Sequence, residues 1–232
     1  MKKNIDFSIV FPVMNQADHI ERVIFSYDQT LKKNQFSFEL IAVINCTRDN
    51  SFEICQHLTK KIKNFSAYEL KGCGYGLGIL YGLKKAQGKN LAYLNCARVN
   101  SQDLLNCLND FKKNPKKILH GIRINRDVWY RKLSSIIYNF GCHLLTGVFS
   151  SDINGTPKIF SRKIYKQLKL KFTDSMIDLE LLEKAKKLKI PIKEFPVYKN
   201  IRHGGRSTSS WKTIFRLIKE LINYWIKTRL KF

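Results

Sequence analysis

Leu91-Ala-Tyr-Leu-Asn-Cys-Ala-Arg98 is the stretch on which the fold turns. It is entered from a Gly-rich turn and a short helix, reads as a buried strand, and stops at Asn95. A helix restarts at Ser101, with Asp103 in its first turn. Ligands of open α/β sheets gather at the carboxyl ends of strands, which puts Asn95 to Arg98 at the chemistry.

Outward from this strand, helical and strand patterns alternate. Phe7–Val13 is an apolar run containing Pro12 and predicts a first strand, followed by a helix from about Asp18 to Lys33. Phe38–Ile44 predicts the second strand, with Asn50 or Ser51 capping a helix to about Lys61, and Ala67–Leu70 the third. The Gly-rich run Gly72–Gly78 turns into a helix ending near Gln87-Gly88. Downstream, strands are predicted at Ile118–Ile122, Gly155–Phe160 and Ile192–Val197, the last as a Pro-bounded edge. Helices are predicted at Asp127–Leu145, from Arg162, and at Met176–Leu188. Alternation at these lengths predicts an α/β fold with a mostly parallel sheet.

The 232 residues suffice for one such domain, and the net charge of +24 favours anionic partners: phosphates, anionic lipid or nucleic acid. Much of the lysine solvates helix faces. The six cysteines form no CxxC pair and no zinc spacing, so they are expected as free thiols in a reducing compartment. No segment carries the ~18 apolar residues needed to span a bilayer. The expected location is cytoplasmic, peripheral on the inner face of the membrane. Residues 1–207 read as the α/β domain and 208–232 as a separate basic amphipathic helix. On that helix Trp211, Ile214, Phe215, Ile218, Leu221, Ile222, Trp225 and Ile226 recur at helical spacing among lysines and arginines. The pattern suits a membrane interface, or packing on the sheet or on a second subunit of a homo-oligomer.

The order of the motifs resembles the GT-A fold glycosyltransferases of family 2, and most closely their polyprenol-phosphate (dolichol-phosphate mannose synthase-like) branch. The resemblance runs from about Phe7 to Ser207 and implies a mostly parallel sheet with helices on both faces. Pro12-x-x-Asn15 resembles the first family strand tip, and Asn45 to Asp49 the second. Gly74–Ala86 resembles the Gly-rich turn and helix ahead of the metal strand. The resemblance therefore implies donor binding by Pro12, Asn15, Asn45, Asp49, Gly76, Asn95, Ala97 and Arg98. Arg123, Arg131 and Ser135, with the basic loop carrying Arg202 and Arg206, resemble the acceptor-phosphate side. Paired guanidinium forks suit a phosphomonoester. Ser151–Gly155 resembles the segment near the reacting sugar and Asp178-Leu-Glu180 the acidic helix start that family members place by the acceptor; Asp152 and Glu180 are the catalytic candidates.

The departures lie on the donor side. Family members carry Asp-x-Asp where this chain has Asn95-Cys96-Ala97, and Gln16, Ile44 and Asn45 also replace acidic positions. Mg²⁺ or Mn²⁺, which the resemblance implies, needs hard oxygen ligands, so the sequence predicts no metal and no other cofactor. Two readings follow. In one, a UDP- or GDP-linked sugar is transferred to polyprenyl phosphate without metal, Arg98, Arg48 and Arg206 countering the diphosphate. In the other, catalysis is lost and the fold binds a lipid phosphate or a partner enzyme. Nucleic acid is not expected as a partner, because the charge comes without a base-stacking motif or a known module pattern.

Overall fold

In the computed structural model of the chain the described residues are 4–124, 129–198, 204 and 211–229, with the side chains of 129–134 and 211–215 outside the description. The elements run β1 (Phe7–Val13), α1 (Ile20–Lys33), β2 (Phe38–Asn45), α2 (Ser51–Lys61), β3 (Phe65–Leu70), α3 (Tyr75–Lys85), β4 (Asn90–Tyr93) and α4 (Ser101–Lys113). They continue β5 (Ile118–Arg123), α5 (Trp129–Thr146), β6 (Lys158–Ser161), α6 (Arg162–Leu168), α7 (Ile177–Lys187), β7 (Ile192–Val197) and α8 (Trp211–Arg229).

The sheet has seven strands in the order β3-β2-β1-β4-β6-β5-β7. All pairings are parallel except those of β6, which runs antiparallel to β4 and β5. β1 is buried throughout, as a strand covered on both faces must be. Its side chains alternate between two cores. Ile9, Phe11 and Val13 join Leu40, Ala42 and Ile44 under α1, α2 and α4, whereas Val10 joins Ile41 and Val43 under the α3, α7 and α8 side. Glycine lets α3 lie directly on the sheet: a Cβ on Gly82 would stand 2.3 Å from Val10 Cγ1.

Two elements depart from the sequence reading. The strand expected over Gly155–Phe160 is confined to Lys158–Ser161. Ahead of it Gly155 N–H donates to Asp152 O, and the Lys158 ammonium takes the carbonyls of Ile153 and Gly155, curling 152–155 into a turn. The C-terminal helix does not stand apart from the domain. Leu221 and Tyr224 of α8 are buried, Tyr224 donates to Glu183 of α7, and Leu221 lies against Gly141 of α5. Its apolar residues are thus divided, because Ile218, Ile222, Trp225 and Ile226 remain exposed, as do Ile136, Ile137, Phe140 and Leu144 of α5. Among the described residues no helix is long and apolar enough to cross a membrane.

Candidate functional site

Two adjoining pockets open where β1, β2 and β4 end. The larger, of about 510 Å³, is lined by Pro12, Met14 and Gln16 after β1, by Asn45 and Cys46 at the end of β2, and by Cys73 to Tyr75 at the start of α3. Asn95, Ala97 and Arg98 after β4 form another wall, and Asp174, Ser175, Arg216 and Glu220 the facing one. Its size is that of an ordinary small-molecule site.

Hydrogen bonds from backbone N–H groups to side-chain oxygens stitch the first two tips together. Asn15 N–H donates to Thr47 Oγ1, Arg48 N–H to Asn15 Oδ1, Gln16 N–H to Ser51 Oγ and Ala17 N–H to Asp49 Oδ2. Asp49 Oδ1 accepts from the N–H and hydroxyl of Ser51 and from Thr47. Burial raises the Asp49 carboxyl, but the Ser51 hydroxyl, the N–H groups of Ala17 and Ser51 and the Thr47 hydroxyl together hold it below its ordinary value. The third tip is tied in by Asn45 Nδ2, which donates to Gly74 O, and by a disulfide between Cys46 and Cys73. The expectation of six free thiols is therefore corrected: the β2 tip and the turn before α3 bring these two cysteines to a Cα–Cα distance of 5.2 Å, which a disulfide spans. Cys55, Cys96, Cys107 and Cys142 are free and buried.

At the end of β4, Asn95 and Ala97 both face the larger pocket while Cys96 turns inward, donating to Gln16 Oε1. Burial holds the Cys96 thiol well above its ordinary value, so it stays neutral. Asn95 Oδ1 accepts from Ala97 N–H, and Ala97 offers only a methyl group. Among the described residues no three His, Cys, Asp or Glu side chains stand together as metal ligands. At this tip the side chains of Asn95 and Ala97 offer one amide oxygen and no carboxylate.

The smaller pocket, about 230 Å³, shares Tyr75, Asn95, Arg98, Ser175 and Arg216 with the larger and adds Val99, Arg123, Asn154, Thr156, Asp178 and Leu217. Beneath it lies a layer of buried charge. Arg123 grips Asp152 with Nε and Nη2, each at 2.6 Å, and also donates its backbone N–H to Asp152 Oδ2. Burial alone would lower the Arg123 guanidinium, and the Asp152 carboxylate more than offsets it. Lys158 is fully buried and donates to Asp178 Oδ1, which also accepts from the Tyr93 hydroxyl. Burial lowers the Lys158 ammonium and Asp178 restores part of the loss. His120 lies behind this layer, pushed down to about 3 by burial and by the charge of Lys158, so it is neutral.

Of the donor candidates, Pro12, Asn45, Asn95, Ala97 and Arg98 line the larger pocket, while Asn15, Asp49 and Gly76 shape the loops around it. A Cβ on Gly76 would sit 2.5 Å from Phe172 O, so this glycine admits the 172–174 loop. Arg48 is exposed and lines neither pocket. On the acceptor side Arg123 lines the smaller pocket, and Ser135 is half-buried on α5 outside both. The Arg131 side chain, Arg202 and Arg206 lie outside the described residues. Asp152 is spent on Arg123. Glu180 is fully buried, accepting from the N–H groups of Lys171 and Phe172 and from Lys184, and it holds that loop rather than reaching a pocket. Its neighbour Asp178 is the acidic side chain of that segment that faces the smaller pocket. Reading the sequence alone also passed over Tyr75, Ser175, Arg216 and Glu220. For the last two the only local signal is their i,i+4 spacing.

The profile of glycosyl transferase family 2 matches residues 8–169. An uncharacterised glycosyltransferase, YkcC, of Bacillus subtilis is 22% identical over 179 residues, covering 73% of this chain and 53% of that protein. The undecaprenyl-phosphate 4-deoxy-4-formamido-L-arabinose transferase of Pseudomonas savastanoi pv. phaseolicola is 24% identical over 160 residues, covering 68% of this chain and 48% of that protein. The chain thus spans about half the length of these relatives. Among solved structures, the Mycobacterium tuberculosis glucosyl-3-phosphoglycerate synthase in complex with Mn²⁺, UDP and phosphoglyceric acid superposes with a TM-score of 0.74 at 12% identity. That match covers 96% of this chain and 78% of the synthase. The same enzyme with UDP-glucose gives 0.74 at 11% identity, covering 96% of this chain and 79% of that one. At these identities the likeness establishes the GT-A fold alone.

Proposed function

The chain belongs to glycosyl transferase family 2, and from that premise we propose that it transfers a sugar from a nucleoside diphosphate to polyprenyl phosphate at a membrane surface, without a metal ion. The observation that carries this reading is the pair of joined pockets, with Arg98 at their junction and Asn95 and Ala97 where the resemblance expects metal-binding carboxylates. The larger pocket takes the UDP- or GDP-linked sugar and the smaller the acceptor phosphate beside Arg123. UDP in the synthase and undecaprenyl phosphate in the arabinose transferase name the ligand classes.

In the reaction an acceptor phosphate oxygen forms the new bond to the anomeric carbon as the bond from that carbon to the diphosphate breaks. Negative charge passes from the acceptor to the departing nucleoside diphosphate. The phosphate is already anionic at neutral pH, so no strong general base is required. Catalysis then consists of countering charge where it develops. A guanidinium about 4 Å from a unit charge, at an effective dielectric of ~20, contributes roughly 4 kcal/mol. The exposed side chains of Ile222 and Trp225, on a helix rich in lysine and arginine, suit the headgroup layer in which a lipid phosphate lies.

The test is transfer from UDP- and GDP-linked sugars to polyprenyl phosphate in anionic vesicles, with product detected by mass spectrometry. Transfer is expected to persist in EDTA. Ile222→Glu combined with Trp225→Glu should lower transfer to the vesicle-borne acceptor and leave transfer to a short, soluble prenyl phosphate intact. Transfer that requires added Mn²⁺ would refute the metal-free reading. A second reading rests on Asp152 and Glu180, both engaged in buried pairs: a non-catalytic module that binds lipid phosphate or a partner enzyme. Binding of polyprenyl phosphate with no transfer from any donor would select it.

A further inference from the structure

Five residues line both pockets: Tyr75, Asn95, Arg98, Ser175 and Arg216. Two of them are charged, and both are arginines. Arg98 comes from the end of β4, whereas Arg216 comes from α8, on the facing wall. We propose that Arg216 is a phosphate-binding residue of the site, meeting the phosphoryl oxygens of a diphosphate or phosphomonoester at the junction of the two pockets. This rests on reading the larger pocket as a diphosphate site, and it makes α8 a wall of that site as well as a surface helix.

The placement is built by the lower part of the helix. Leu221 and Tyr224 are buried, the Tyr224 hydroxyl donates to Glu183, and Arg229 pairs with Glu183 at 3.7 Å. These contacts fix α8 against α7 and so fix where its first turns lie. Arg216 itself is held only lightly: its Nε stands 3.5 Å from Glu220 Oε1, one turn on, and its side chain is 61% exposed. Glu220 is the less exposed of the two, its side chain 19% exposed on the wall of the larger pocket. Without an anion, Glu220 supplies the partner for Arg216. A phosphate entering between Arg98 and Arg216 offers a doubly charged, multidentate partner, and a guanidinium fork matches it better than one carboxylate oxygen at 3.5 Å. Glu220 and the incoming anion therefore compete for the same guanidinium.

Isothermal calorimetry of the full chain with inorganic pyrophosphate, in metal-free buffer, tests this. Arg216→Ala should weaken binding at least about tenfold, the order contributed by a charged hydrogen bond. Arg216→Lys should fall between, keeping the charge and losing the fork. Lys219→Ala, which removes an exposed cation from the same helix, should bind as wild type. Glu220→Gln should bind more tightly than wild type. Thermal unfolding of each variant controls for folding, and if Arg216→Ala does not fold, Arg216→Lys against Lys219→Ala decides. The proposal falls if wild type does not bind pyrophosphate, if the Arg216 variants bind unchanged, or if Lys219→Ala loses as much. Pyrophosphate binding that depends on Arg216 without any sugar transfer keeps this proposal and removes the transferase. Transfer at wild-type KM by Arg216→Ala does the reverse.

Discussion

The two sides of the cleft are held together by different physics. On the donor side, the tips of β1, β2 and the turn before α3 are joined by neutral hydrogen bonds, one engaged carboxylate at Asp49 and one disulfide. On the acceptor side, Arg123–Asp152 and Lys158–Asp178 are ion pairs buried beneath the smaller pocket, and Glu180–Lys184 closes a loop beside them. The comparison teaches that a net charge of +24 says little about where charge acts. The acceptor side spends its carboxylates on fixing its cations in place. The larger pocket has the amide and methyl groups of Asn95 and Ala97 at the β4 tip, with Arg98 beside them and Arg216 on the facing wall.

The sharpest way to break this contrast is on the acceptor side. Lys158→Met leaves Asp178 buried without its cation and should cost about 3–5 kcal/mol, read by urea denaturation. Adding Asp178→Asn should return much of it, because the uncompensated charge is then gone. A loss below about 1 kcal/mol for the single variant would mean that the buried pair does not organise this side.

On the donor side the largest single restraint is the Cys46–Cys73 link, which closes a loop of sequence separation 27. Chain-entropy reasoning gives it about 3–4 kcal/mol. Cys46→Ser with Cys73→Ser, or reduction of the wild type, should lower the denaturation midpoint accordingly. An unchanged midpoint on reduction would leave the hydrogen bonds as the whole of the restraint.

The smallest effect sharpens the comparison by pH. Asp49→Ala removes an acceptor for Ala17, Ser51 and Thr47 and should cost about 1–2 kcal/mol at pH 7, taken from hydrogen bonds of order 1 kcal/mol each. The folded carboxyl titrates below its unfolded value, so this stability is fully present above about pH 4 and is lost as pH falls through the depressed folded value. The gap between wild type and variant should therefore close on acidification. A gap that widens there would show that the carboxylate is not stabilised by these donors.

The sequence by itself determined the order of strands and helices, the position of the β4 tip, and the neutral residues Asn95 and Ala97 that stand there. These are local matters: period-2 and period-3.6 apolar patterns, glycines where backbone must approach, and the identity of Asn95 and Ala97. Tertiary structure alone decided which charges meet. Asp152 and Arg123 are 29 residues apart and Lys158 and Asp178 are 20 apart, so nothing in either neighbourhood announces the pairing. Within the acidic helix start Asp178-Leu-Glu180 the sequence reading favoured Glu180, and only the rotation of α7 puts Asp178 on the wall of a pocket and Glu180 under a loop. Cys46 and Cys73 carry no pairing signal until the β2 tip and the α3 turn are brought side by side. Arg216 reads as a solvated residue of an amphipathic helix. It enters the site because Leu221 and Tyr224 dock that helix on the domain, and long-range packing of that kind leaves no periodic trace in the chain.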